Sequence, residues 1–219
     1  MELEKIYHFL RQVAKNNDRE WFNAHRASYD EARAIFEQFV QLVLNRISVF
    51  DPSVMVLEPK ECLFRFYRDI RFSNNKMPFK LHMGAYMNPK GKKSDYFGYY
   101  VHLQPGHSLI GGGSIGLPTK QLTKIRRHIM EHIDEYRAIV EDPSFKKYFP
   151  VVGADFLKSA PKGFSKDYKY IDYLRCKEYI CSYTVPDEFF FQENCLDKIG
   201  QVLEQAKRYG DFINTALGY

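Results

Sequence analysis

Between Phe64 and Lys80 the chain reads FRFYRDIRFSNNKMPFK, placing three arginines, two lysines, one aspartate and five aromatics in seventeen positions. Guanidinium groups present a planar fork of donors that suits phosphate or carboxylate, and lysine adds a compact positive charge. Arg65, Asp69 and Arg71 share one parity, so on a strand they would stand on one face. There they would form either a salt-bridge ladder or a set of donors for an anion. Asp69 would orient an arginine, and the enzymatic version of this reading would use it as a base. Ser73, Asn74, Asn75 and Lys76 form a loop of side-chain donors that either satisfy their own turn or enclose an oxyanion. Lys80 and His82 return on the next segment, and Tyr100 and His102 lie on alternate positions of the segment after that.

The expectation is a cationic sheet site made of Arg65, Arg68, Arg71, Ser73, Lys76, Lys80, His82, Tyr100 and His102. It would bind an anionic, phosphorylated small molecule. The reading requires these side chains to converge.

Charge distribution supports it. The chain of 219 residues carries a net charge of +5. Residues 60–95 hold nine basic and three acidic residues, a surplus of six that leaves the rest of the chain at minus one. A local field of this kind favours an anionic ligand or partner. Two other partners fit the same residues. Cations interleaved with Phe66, Tyr67 and Phe72 suit nucleic acid, and the basic segment with Lys90, Lys92 and Lys93 suits an acidic protein surface. No recognised nucleic-acid motif accompanies them.

Other constellations carry less. His82 and His102 lack the surrounding pattern of a metal site and read as structural histidines. Gly111-Gly112-Gly113 has neither phosphate-loop nor dinucleotide spacing, and reads as a bend, a bulge or close packing. The sequence identifies no cofactor and leaves the question open. Cys62, Cys176, Cys181 and Cys195 lack zinc-knuckle or redox spacing and read as buried free thiols. Lys124, Arg126, Arg127 and His128 read as a solvated helix face, the lysines of 90–93 as solvated charge, and Lys162-Gly163-Phe164 with Arg175 as residues that would close the site from the other side. MELEKIYHFLRQV lacks the layout of a signal peptide, and no apolar run is long enough to span a bilayer, so a cytoplasmic protein without membrane attachment is expected.

The elements that must position these residues follow from periodicity. Apolar residues at helical spacing predict helices over 3–15, roughly 26–49, from Pro118 to 140, and from about Asn194 onward. Asn17 with Glu20 resembles a capping box. Residues 62–72 alternate as a strand, with Arg68 on the apolar face as the anomaly that calls for an edge or a bulge. Segments 81–87, 97–104, 107–115 and 175–185 read as further strands, and 150–170 as irregular. Short connections favour an antiparallel sheet. The fold expected is a single α+β domain over 1–219, with a mainly antiparallel central sheet packed against N-terminal, middle and C-terminal helices.

FRFYRDIRFSNNKMPFK, together with NNDREWFNAHRASYDEAR, GYYVHLQPGHSLIGGG, DPSFKKYF and PKGF, resembles the domain-of-unknown-function 2461 family from about Leu10 to Leu217. Met77 stands where family members commonly carry Thr, which removes one hydroxyl donor. The resemblance implies one α+β domain and brings no assigned reaction with it.

Overall fold

The computed structural model describes residues 2–219. Helix α1 (Leu3–Lys15) buries Leu3, Ile6, Tyr7, Leu10 and Val13 along one stripe. A short helix α2 (Arg19–Ala24) follows, and its cap differs from the predicted box. The Asp18 side chain accepts from the Trp21 amide at 2.8 Å. Asn17 is instead occupied elsewhere, as described below. Helix α3 (Arg26–Ile47) turns Tyr29, Ala32, Phe36, Phe39, Val40 and Val43 inward. A 3-10 turn at Pro52–Val56 and a one-turn helix α4 (Pro59–Cys62) lead into the basic segment.

Five strands form one antiparallel sheet: β1 (Met83–Met87), β2 (Gly98–Leu103), β3 (Ser108–Ser114), β4 (Val152–Phe156) and β5 (Cys176–Val185). Their spatial order is β1-β2-β3-β5-β4. Met83 faces Leu103, Ala85 faces Val101, and Val101 faces Ile110. Directly opposed residues share a face, so these form the inner face, which packs on α3 and on the last helix, α9 (Cys195–Leu217). Gly84, Tyr86, Tyr100, His102, Ser182 and Thr184 occupy the outer face. The α+β architecture is as the sequence implies.

Two stretches depart from the sequence reading. Residues 62–72 do not form a regular strand. Only isolated bridges, Leu63 with Ala85 and Tyr67 with Phe79, join this segment to the chain that returns to β1. Phe64 N–H donates to Gly84 O at 3.0 Å and Lys80 N–H to Phe66 O at 3.0 Å. Two steps along one side therefore face four along the other. The surplus at 81–83 bulges and breaks the ladder into two short pieces out of register with each other. Beyond it, Arg68 N–H donates to Pro78 O at 2.8 Å, and the chain opens into a loop. In contrast, the irregular 150–170 stretch contains β4. Gly153 and Asp155 both adopt positive φ there, and the register shifts between Val152 and Ala154. A strand of sequence VGADF has little intrinsic preference for the state and exists through its pairing with β5.

The predicted helix after Pro118 divides at His132 (φ −120°, ψ 41°) into α5 (Thr119–Glu131) and α6 (Ile133–Val140). Helices α7 (Pro143–Tyr148) and α8 (Ile171–Leu174) lie between α6 and β5. All four cysteines are free and buried. Among the described residues, no helix is long and apolar enough to cross a membrane.

Candidate functional site

The hairpin of residues 63–85 is held by aromatic packing and by one asparagine. Phe22 of α2 stacks on Phe79 with centroids 4.1 Å apart, and Phe66 lies 5.9 Å from the same ring. Asn17 grips the backbone of Phe79 from both sides. Its amide donates to Phe79 O at 3.1 Å, and its Oδ1 accepts from Phe79 N–H at 3.0 Å. This contact does for one residue what a neighbouring strand would do. It sets where Lys80 and His82 emerge.

Arg65, Lys80 and His82 line one open cleft with Tyr29, Arg33 and Phe36 of α3. The enclosed space is about 10 Å³, room for roughly one water; Arg65 is exposed, and Arg33 and Lys80 are half-buried. Lys80 lies over the Phe64 ring, its Nζ 5.2 Å from the centroid. Burial, and secondarily the Arg65 charge, hold its ammonium below the ordinary lysine range. Arg33 donates to the Tyr29 hydroxyl at 3.4 Å. Among the described residues, Arg33, Arg65 and Lys80 form no ion pair with a carboxylate (salt bridges are found elsewhere, for example between Arg71 and Asp69). Arg33 lies outside the residues singled out by sequence. It sits thirty-two positions before Arg65 on a helix, and no local spacing points to it.

Behind the cleft, His82 and His102 stack with centroids 4.1 Å apart. Tyr100 Oη lies 2.9 Å from His102 Nδ1, and His102 Nε2 lies 3.0 Å from Gln104 Oε1. With the glutamine oxygen accepting, Nε2 carries the proton and Nδ1 accepts from the tyrosine hydroxyl. Burial, then the His102 and Lys80 charges, push His82 down to about 3. Burial also lowers His102. Both rings are therefore neutral at pH 7, and the positive charge of the cleft belongs to Arg33, Arg65 and Lys80. His82 has no side-chain hydrogen bond among the described residues and lines the cleft, so its ring nitrogens are free to meet a ligand.

The remaining predicted residues go elsewhere. Arg68 Nη1 donates to Met77 O at 3.2 Å, and Lys76 Nζ donates to Ile70 O at 3.2 Å. Both close the loop onto itself. Ser73 lies in that loop, its N–H on Ile70 O at 3.4 Å. Arg71 forms a two-pronged pair with Asp69, at 3.0 and 2.8 Å. The Arg71 guanidinium, and then its backbone N–H, hold the Asp69 carboxyl below the usual range. A carboxylate shifted that way is a weaker base. The structure thus brings Arg65, Lys80 and His82 together and leaves Arg68, Arg71, Ser73 and Lys76 in a separate loop.

The family model described as a conserved hypothetical protein (DUF2461) matches residues 5–212. The chain belongs to the DUF2461 family. No curated protein and no solved structure matches it. In this DUF2461 chain the matched span includes every residue of the cleft.

Several side chains outside the cleft are more deeply employed than their sequence context implies. Arg126, expected on a solvated helix face, is 5% exposed. It donates to Leu174 O at 2.7 Å and Cys176 O at 2.8 Å, tying α5 to the start of β5. Lys92 donates to Leu63 O at 2.7 Å, and Lys90 lies over the Tyr219 ring, so neither is merely solvated. Arg175 pairs with Asp172, while Gly163 and Phe164 line a groove against α5. Finally, His128 and His132 stand four apart with Glu131 between them. That spacing is legible in the sequence as one helix face.

Proposed function

We propose that this protein binds the phosphoryl or carboxylate group of a small molecule at the cleft where Arg33, Arg65 and Lys80 meet. One observation carries the reading: three cations line a single cleft, and none is neutralised by a carboxylate among the described residues. Like charges gathered without a counter-charge repel, and an arriving anion relieves that repulsion while accepting charge-assisted hydrogen bonds. His82, neutral and unpartnered, adds a donor or an acceptor beside them. The open cleft leaves the rest of the ligand outside, so the anionic group is the recognised part. A cytoplasmic setting belongs to the same proposal, supported by four cysteines that remain free.

A thermal-shift screen of the full chain tests it, using inorganic phosphate, sugar phosphates, nucleotides, dicarboxylates and short oligonucleotides at low and moderate salt. A ligand at a hundredfold excess over its Kd adds roughly 2.7 kcal/mol. The expected result is a salt-tolerant rise with one small anion that disappears in an R65A/K80M variant. Absence of any rise with the small anions would overturn the reading.

A second reading, single-stranded nucleic acid, is favoured by Phe72. It is 96% exposed at the tip of the basic loop, with the Arg71 guanidinium 5.8 Å from its ring. Exposed aromatics beside arginine are platforms for base stacking. Shifts confined to oligonucleotides, lost with salt and lost in F72A, would favour it over the small anion.

A further inference from the structure

Away from the cationic cleft, a set of metal-capable side chains found among the described residues lies at the C-terminal end of α5. His128, Glu131 and His132 offer two imidazole nitrogens and a carboxylate oxygen, all within 4.8 Å of one another. Positions three and four apart share a helix face, so the three come together without help from another element. The two imidazole rings are 4.4 Å apart. His128 is braced by Phe212 of α9, with centroids at 4.6 Å. His132 marks the point where the helix ends. Its N–H still bonds to His128 O at 2.9 Å, while its own backbone leaves helical geometry. The carbonyl end of a helix carries partial negative charge, which favours a cation there.

We propose that His128, Glu131 and His132 bind a divalent transition ion of the zinc class, with its fourth position open to the groove beside them. Two imidazoles and a carboxylate are the donor set of zinc and its first-row neighbours, whereas magnesium and calcium take oxygen ligands. Ligand atoms around a tetrahedral zinc stand about 3.3 Å apart, given bonds of roughly 2.0–2.1 Å. Glu131 and His132 are exposed, so their side chains can rotate to close that difference. Three protein ligands leave one tetrahedral position unfilled.

The surroundings suit such a site. A groove of about 340 Å³ runs between α5 and the end of α9, and both His128 and Glu131 line it. Lys124 and Arg127 stand on the same groove. Whatever fills the fourth position therefore meets those two cations, which suits water or an anionic group. Asp134 and Glu135 open α6 immediately after His132. Asp134 pairs with Arg137 at 4.0 Å, which leaves Glu131 and Glu135 balancing Lys124 and Arg127.

Cobalt(II) titration of the full-length protein tests the proposal, because a four-coordinate cobalt ion absorbs visible light where the hydrated ion scarcely does. H132N and E131Q alter exposed side chains, and circular dichroism verifies that each variant is folded. The expected result is one equivalent of cobalt with a visible d–d band, displaced by equimolar zinc and unaffected by equal magnesium. Each variant should bind at least tenfold more weakly. The proposal is overturned if the band is absent, if magnesium displaces the ion equally well, or if both variants bind as the parent does.

Discussion

His82 and His102 stack with their ring centroids 4.1 Å apart and their planes inclined by 28°, joining the bulge before β1 to the end of β2. Both rings are held neutral by burial, and a proton on either would face the other ring and Lys80.

Acid should therefore destabilise the fold through this pair. An unfolded histidine takes its proton near pH 6.5, while folded His82 does so only at about 3. Between those values the unfolded chain holds the extra proton, so stability falls as pH drops through that window. Nuclear magnetic resonance should find His82 neutral until well below pH 4. A midpoint near 6 for both rings would contradict the packing described.

Asn17 should matter more than an ordinary loop asparagine. Its two hydrogen bonds to Phe79 contribute about 0.5–1.5 kcal/mol each. Asn17→Ala should thus cost about 1–3 kcal/mol in denaturant unfolding and speed hydrogen exchange at the Phe79 amide. Exchange unchanged at that amide would show that the grip is unimportant.

Two glycines on the same helix should respond in opposite directions. A Cβ at Gly210 would lie 2.5 Å from Cδ1 of Phe97, a buried ring that cannot withdraw, whereas at Gly200 the nearest atom is 3.6 Å away. Gly210→Ala should destabilise by about 1–3 kcal/mol through overpacking. Gly200→Ala should stabilise by up to about 1 kcal/mol, from helix propensity. Equal effects, measured by thermal unfolding, would be incompatible with this placement of α9 on Phe97.

The arginines of the basic segment should separate by role. Once a ligand is found, Arg65→Ala should weaken it about tenfold or more, since a hydrogen bond to a charged group contributes roughly 1.5–3 kcal/mol. Arg71→Ala should leave affinity within about twofold, because Arg71 is engaged with Asp69 in the loop. Calorimetric titration of both variants decides the matter, and a larger loss in Arg71→Ala would move the site to the loop.

The sequence by itself determined the long helices, four of the five strands of the sheet and the localised positive charge, but not β4 or the break at His132. Leu3, Ile6, Leu10 and Val13 repeat with the helical period, and Tyr99, Val101 and Leu103 with the strand period. Each pattern is a local property, since a side chain's direction along a regular element depends on its own backbone. The same logic misread residues 62–72. Their alternation is real, but a ladder also needs a partner in one register, and the bulge at 81–83 shifts it. Only tertiary structure decided that Arg33 joins Arg65 and Lys80, that Asn17 holds Phe79, and that His82 meets His102. Those contacts join residues distant in the chain, and their geometry follows from how helices and hairpin pack, which no local spacing encodes.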